Sequence, residues 1–506
     1  MIPQQINQLI ARLQCCESYF ETYRNGKKLV LPFKALWPDI VQVLHFFRHK
    51  GIAQGDHIGI MGTNTYEWVV IDLACIAAGI ISVPLDPARQ EDTDRIFASF
   101  NLKVMLTNLK SPAYMENTFS FEDVCAGLAD AGFKPAAQVI YDSEDILTYK
   151  FTSGSTSRPK MIGAMCQSVD AAITFTEELF QHRGNDKIMV FLPLHTYQQR
   201  YWIYSAILFD FDLLLVPKEY ALYAMQADKP TVIMGVPFFF ETLMKNFLEE
   251  AGDKLLSPEE RGAGFRDYLG GNIRYLWTGS APVGSDTLTF YEQMGVALYQ
   301  GYGMNEVCIV SKNYPGNNKT GSVGKLLPGK HIRFDMYGQL LVKSDYPVNV
   351  SYYQALAEDN AATFREDGYV ATGDTGYLDD EGYLYIDGRL KELIVLANAI
   401  KIHPAPIEKK IEQSLQVSHC IVYGDKHPYL VALIIPKSYD VSEAEIGREI
   451  RSINNMLNTH EKICSFLVVE ENYLSTNNYL SGQSKILRKK ILNDHRLKLD
   501  RLYHDA

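Results

Sequence analysis

His57–Leu85 reads HIGIM GTNT YEWVVIDLACIAA G IISVPL. A short β-branched run, His57–Met61, is followed by a helical pattern over Tyr66–Ala78 and a second extended run, Ile80–Pro84. Strand, helix and strand in that order make a βαβ unit, so an α/β fold with a parallel sheet is expected. The same rhythm continues through a helix over Glu91–Phe100 and a strand at Val104–Thr107. It recurs at Ile188–Pro193, Leu213–Pro217, Thr231–Gly235 and Ile273–Thr278. Trp68–Leu85 is the longest apolar stretch, yet it holds Asp72 and is broken by Gly79 and Pro84. It therefore predicts a buried helix running into a strand and no membrane span.

Outward from this core, the α/β body extends over residues 1–387. Two Gly-rich hairpin-like stretches, Glu366–Leu378 and Asp380–Asp387, then lead into Gly388-Arg389-Leu390-Lys391-Glu392. A domain boundary is expected there, because Gly and flanking charges suit an exposed hinge. Residues 388–506 form a small α+β domain, with extended runs at Ile421–Tyr423 and Leu430–Pro436 and helices near Ile407–Ser414 and Val441–Asn458.

The 506 residues are 47% apolar and 22% charged, enough for several packed cores. A net charge of −11 argues against a nucleic-acid or anionic-membrane partner, both of which require a cationic surface. Lys485–Arg501 is locally basic, with seven Lys/Arg against Asp494 and Asp500, and reads equally as a solvated helix face or as an anion-facing segment. The eight cysteines are dispersed without metal-ligand spacing, and the N-terminus shows no secretory pattern. A reducing, cytoplasmic location is the expectation.

The chemistry concentrates in short blocks. Phe151-Thr152-Ser153-Gly154-Ser155-Thr156-Ser157-Arg158-Pro159-Lys160 places hydroxyls, backbone N–H groups and a cation where phosphate oxygens can be received, without the spacing of a Walker loop. Gln300-Gly301-Tyr302-Gly303-Met304-Asn305-Glu306 combines close-approach glycines, an aromatic face for a base and a carboxylate suited to Mg²⁺. Asp374 follows in Ala371-Thr372-Gly373-Asp374, then Arg389 and Lys391. Ser481-Gly482-Gln483-Ser484-Lys485 comes near the end.

In order and spacing these blocks resemble the adenylate-forming superfamily of acyl-CoA synthetases, peptide-synthetase adenylation domains and luciferase, over about residues 30 to 492. Leu192-Pro193-Leu194-His195, Gly279-Ser280-Ala281-Pro282, Gly321-Ser322-Val323-Gly324 and Gly388–Leu396 look most like the long-chain fatty acyl-CoA synthetase branch. The resemblance implies a large N-terminal domain of βαβ-type subdomains and a small mobile C-terminal domain. It also implies ATP-dependent activation of a fatty or other apolar carboxylic acid, followed by transfer to CoA. Acceptors left open are the phosphopantetheine of an acyl carrier protein and an amine. A silent nucleotide- or acyl-binding relative and a luciferase-like oxidase remain as further alternatives.

By that resemblance Thr152, Ser153, Gly154, Ser155, Thr156 and Lys160 wrap the ATP phosphates, with Thr152 and Glu306 on the Mg²⁺ side. Gly279, Ser280, Ala281, Gln300, Gly301, Tyr302, Gly303 and Met304 enclose adenine. Asp374 and Arg389 hold the ribose. Lys485 bridges the substrate carboxylate and the α-phosphate, Lys391 is the pivot of the small domain, and His195 stands beside the carboxylate and thiol path. Trp277 and Tyr204 are candidates for the acyl pocket or for plain core packing. Three departures stand out. Ser157 and Met161 replace loop glycines, Asn305 stands where a Thr is usual but keeps a polar side chain for phosphate, and Ala399 stands where a Gly is usual beside the thiol channel.

Overall fold

From Tyr66 to Ala77 every residue of the Tyr66–Ala78 helix is buried, as a helix apolar on all faces must be. Its start is capped by Thr65, whose hydroxyl accepts the Trp68 N–H, and it ends at Gly79 in the left-handed region, φ 68°. This computed structural model describes residues 4–24, 26–87, 93–109, 117–126, 133–151, 160–252, 257–471, 473–477, 479 and 486–503.

The chain divides into two compact units. The first comprises Met1–Ile332, Leu341–Ala371 and Asp380–Leu384; the second comprises Arg333–Leu340, Thr372–Asp379 and Tyr385–Ala506. In the first, helix Gln5–Leu13 precedes a hairpin of β1 (Tyr19–Arg24) and β2 (Lys27–Pro32). Strands β3 (His57–Met61), β4 (Ile81–Leu85), β5 (Leu102–Thr107), β6 (Thr118–Ser120), β7 (Ile146–Phe151) and β8 (Met161–Met165) form a six-stranded sheet in the order β6-β5-β3-β4-β7-β8. β3 and β4 pair in parallel, His57 opposite Ile81, as a βαβ unit requires.

The later strands are β9 (Lys187–Val190), β10 (Asp212–Leu215), β11 (Val232–Gly235), β12 (Tyr275–Thr278), β13 (Leu298–Met304), β14 (Cys308–Lys312) and β15 (Lys325–Leu326). With the N-terminal hairpin they build a nine-stranded sheet, β15-β14-β13-β12-β11-β9-β10-β1-β2. Neither sheet is wholly parallel: β1–β2, β7–β8 and β13–β14 are antiparallel joins. The expected helix over Glu91–Phe100 is described as Thr93–Ser99, and Glu91 lies outside the described residues. One core, containing Trp68, Phe20 and Trp202, packs the helices Tyr66–Ala78, Cys166–Phe180 and Gln198–Phe209 with both sheets. Another, around Phe240, Phe265 and Tyr291, covers the other face of the nine-stranded sheet.

A buried polar knot fixes the Gln198–Phe209 helix. Arg200 donates to Asp72 at 2.7 Å, to Thr148 at 3.0 Å and to Ser82 at 3.3 Å, while the Tyr204 hydroxyl donates to Asp72 at 2.6 Å. Fully buried charges persist only with partners of this kind. Tyr204 is thus part of the core.

In the second unit Val417–Tyr423 pairs antiparallel with Leu430–Pro436, which pairs in parallel with Ile463–Val468. Alternate residues feed two cores. One joins Val422 and Ile434 to Ile407, Ile411, Ile446 and Ile450; the other joins Ile421 and Leu433 to Ile491 and Leu499. Among the described residues no helix is long and apolar enough to cross a membrane.

Candidate active site

β7 and β8 form a hairpin with Phe151 opposite Met161, so the Ser/Thr/Gly-rich segment is its connection. Thr152, Ser153, Gly154, Ser155 and Thr156 lie outside the described residues, but both stems are in view. The Asn305 amide donates to the Phe151 carbonyl at 2.8 Å, and the Lys150 ammonium donates to the Asn305 carbonyl at 3.2 Å. Burial lowers the pKa of Lys150. On the other stem, Lys160 pairs with Asp359 at 2.8 Å and lies 5.0 Å from the centre of the Tyr352 ring. The Tyr352 hydroxyl in turn donates to Glu306 at 2.7 Å. Burial first, and then Glu306, raise the pKa of that phenol. One end of the loop therefore binds the turn that carries Glu306, itself buried, and the other reaches that carboxylate only through Tyr352. Asn305 thus has a role the sequence did not show: one amide N–H holds the loop stem, and its other polar atoms stay available to a phosphate.

The strand ends beside this turn meet through glycine. A Cβ on Gly279 would stand 3.2 Å from the Gly301 carbonyl oxygen, and one on Gly303 would stand 2.3 Å from that of Cys308, at a register shift between Tyr302 and Gly303. Ser280 adopts φ 69° and, like Ala281, is exposed; Tyr302 and Met304 are half-buried. The buried Gln300 gives its carbonyl to the Asn313 N–H at 2.9 Å. Gln300 also lines a cavity of about 260 Å³ that includes Glu292, Asn313 and Lys319–Ser322. Among the described residues expected to hold nucleotide, Gln300 alone lines that space.

His195 is half-buried in the turn before the Gln198–Phe209 helix. Behind that helix lies a cavity of about 10 Å³, room for one water, walled by Tyr201, Trp202, Trp277, Ile309, Thr176 and Lys312 among others. Trp277 thus reaches this cavity. Lys312 carried no expectation from the sequence. The signal was present in Cys308-Ile-Val-Ser-Lys312, a strand buried on both faces that ends in a lysine.

The second unit carries Asp374, buried, with the Arg389 guanidinium 2.8 Å away. These two expected ribose ligands are brought together. Lys391 is exposed on the single 3₁₀ turn Leu390–Glu392. Ala399 takes φ 65° in an exposed turn, the conformation that suits the glycine usual there. Lys485 lies outside the described residues. Arg488 is not on a solvated face, as one reading of the basic tail had it: it is mostly buried and binds Glu408 and the Val422 carbonyl.

Residues 30–339 match the family described as AMP-binding enzyme, and residues 391–506 match the AMP-binding enzyme C-terminal domain. The chain belongs to the AMP-binding enzyme family. It is 25% identical to the long-chain-fatty-acid–CoA ligase FadD15 of Mycobacterium tuberculosis (strain ATCC 25618 / H37Rv), over 90% of this chain and 89% of that protein. It is also 25% identical to the 2-succinylbenzoate–CoA ligase of Bacillus cereus (strain Q1), over 82% and 85%. The structure of o-succinylbenzoate CoA synthetase from Bacillus subtilis with its acyl-adenylate intermediate superposes with a TM-score of 0.78 at 19% identity, covering 96% of this chain and 97% of that one. As an AMP-binding enzyme of this adenylate-forming fold, it is an acid–thiol ligase of the AMP-forming type.

Proposed function

We propose that this AMP-binding enzyme condenses a carboxylic acid of mainly apolar body with ATP to an acyl-adenylate, releasing pyrophosphate, and then passes the acyl group to the thiol of CoA with release of AMP. The observation that carries the reading is that the Phe151 stem of the 152–160 segment is bonded to the Glu306 turn while the Lys160 stem lies against Tyr352, whose hydroxyl holds Glu306. This supports phosphate binding by Thr152, Ser153, Gly154, Ser155, Thr156 and Lys160 beside one buried carboxylate. Mg²⁺ sites use one or two carboxylates completed by phosphates and water, and Glu306 keeps one oxygen beyond the one held by Tyr352. That donor set fits Mg²⁺, which would neutralise charge on the departing pyrophosphate.

In this assignment Gly279, Ser280, Ala281 and Gln300–Met304 take the adenine. Asp374 and Arg389 take the ribose. Attack of a carboxylate oxygen on the α-phosphorus concentrates negative charge between two anions, and Lys485 supplies the countering cation. His195 precedes the helix that walls the small cavity and is assigned to the acyl carboxylate. An aromatic wall of Tyr201, Trp202 and Trp277 supports an acid with an apolar body.

Acid-dependent ATP–pyrophosphate exchange tests the first step, and CoA-dependent release of AMP tests the second. Exchange with at least one acid and thioester formation with CoA are expected. Exchange without any CoA thioester would transfer the second step to another acceptor. No exchange with any acid would overturn the proposal.

A further inference from the structure

β13 and β14 pair so that Gly301 stands opposite Lys312. Trp277 on β12 is opposite Tyr299, two residues before Gly301, so Trp277, Gly301 and Lys312 share one face of the sheet. Gly301 makes the room between them: a Cβ there would lie 3.0 Å from the Trp277 indole nitrogen. Lys312 is 0% exposed. Its ammonium donates to the Thr176 hydroxyl at 2.9 Å and lies 4.2 Å from the centre of the Trp277 ring and 5.3 Å from that of Phe180. Among the described residues no carboxylate pairs with it.

That environment compensates a buried cation only in part. One hydroxyl and two ring faces stand where an anion is expected, and burial depresses the lysine's pKa from 10.5 to about 7. The Trp277 indole N–H, buried on the wall of the same cavity, has no hydrogen-bond partner among the described residues. Gln198 and Ser205 add polar groups to that wall. Two buried donors with unused capacity therefore face one small space, one strand from the residues assigned to adenine.

We propose that this cavity receives the far end of the acid substrate, and that Lys312 is a specificity-determining residue selecting acids that carry a second carboxylate. The inference rests on the proposed acid activation and names its substrate class. The distal carboxylate accepts from the Lys312 ammonium and the Trp277 N–H, while the body of the acid lies against Tyr201, Trp202 and Ile309. Since the cavity holds about one water as it stands, the carboxylate enters as the Trp202 ring shifts aside, with Lys312 and Trp277 in place to donate.

The test pairs monoacids with diacids of the same skeleton in pyrophosphate exchange: hexanoic with adipic, benzoic with terephthalic, and 3-phenylpropanoic with 3-(4-carboxyphenyl)propanoic acid. The wild-type protein is expected to favour at least one diacid over its partner by kcat/KM. A site built for a buried charge rejects an analogue that lacks it far more strongly than an apolar pocket rejects an extra methylene. In Lys312→Met the diacid-to-monoacid ratio is expected to fall by about a hundredfold or more, because the apolar side chain favours apolar ends. Exchange with monoacids preferred in every pair, or a ratio unmoved in Lys312→Met, would overturn the assignment and leave the acid-activation reading intact. If no acid supports exchange, that reading fails and the pocket is judged by binding alone. Titration of terephthalate or adipate into wild type is then expected to change Trp202 and Trp277 fluorescence, and the change to vanish in Lys312→Met; no Lys312-dependent change would overturn the pocket as well.

Discussion

Lys312 is costly where it stands, and the cost has a defined dependence on pH. Its pKa is about 7 in the folded chain and 10.5 in the open one. The unfolded state therefore binds more protons between those values, and stability attributable to this group rises as pH climbs from 7 to 10.5. The penalty is complete below pH 7, where both states are charged. A shift of this size corresponds to about 5 kcal/mol. Titratable neighbours are Cys308 on its own strand, Tyr201 on the Gln198–Phe209 helix and His182 beyond Phe180, and burial keeps the Tyr201 phenol neutral. Lys312→Met, measured by denaturant unfolding against wild type, is expected to stabilise by about 2–4 kcal/mol at pH 6, with the gain fading toward pH 10. A gain independent of pH would show that the lysine is not buried as charge. At Ala399 the argument is one of backbone. The left-handed conformation costs a non-glycine residue about 1–2 kcal/mol, offset in part by the flexibility glycine adds to the unfolded chain. Ala399→Gly should therefore raise stability by about 0.5–1 kcal/mol, seen as a higher melting temperature.

Among the elements, the β13–β14 turn ties the proposed phosphate-binding stems to Glu306. Its ties run through single side chains, so each can be cut. Asn305→Ala removes the donor that holds the Phe151 carbonyl, and Tyr352→Phe removes the hydroxyl on Glu306. Both are expected to raise KM for ATP several-fold in pyrophosphate exchange, with a smaller change in kcat, because the loop stem or the carboxylate loses its fixed position. An unchanged KM for ATP in both would detach the turn from the phosphates. The βαβ order was legible because strand and helix periods are written in the apolar pattern, as at His57–Leu85. The strand order within the sheets was not, since it is set by distant partners: Phe20 pairs in parallel with Leu213, 193 residues on. The site blocks were legible through their glycines and carboxylates. The clamping role of Asn305 was hidden because it depends on what lies across from it, and Lys312 was passed over because a lysine in sequence reads as solvated.

For the whole molecule, the two units differ in what they require of each other. Among the described residues, the cores around Ile434 and Leu433 draw only on residues from Ile394 onward. A fragment of residues 391–506 is therefore expected to unfold cooperatively by itself, by calorimetry or circular dichroism; a non-cooperative melt would show that the segments Arg333–Leu340 and Thr372–Asp379 are needed. The chemistry divides in the same way. Lys485→Ala is expected to abolish adenylation and pyrophosphate exchange while leaving transfer from a supplied acyl-adenylate to CoA largely intact, and equal loss in both steps would remove Lys485 from its assigned role. The N-terminal hairpin has no such independence. β1 finds its neighbour β10 only after the ribosome has made Asp212–Leu215, and at about 5–20 residues per second that interval is about 10–40 s. For that time Phe20, fully buried at the end, has Phe33 and Tyr66 beside it but no β10 to complete its sheet. Holding chaperones at the exit tunnel would then govern the yield of this protein in a cell, and slowing synthesis ahead of Asp212 should lower the soluble fraction more than slowing it afterwards.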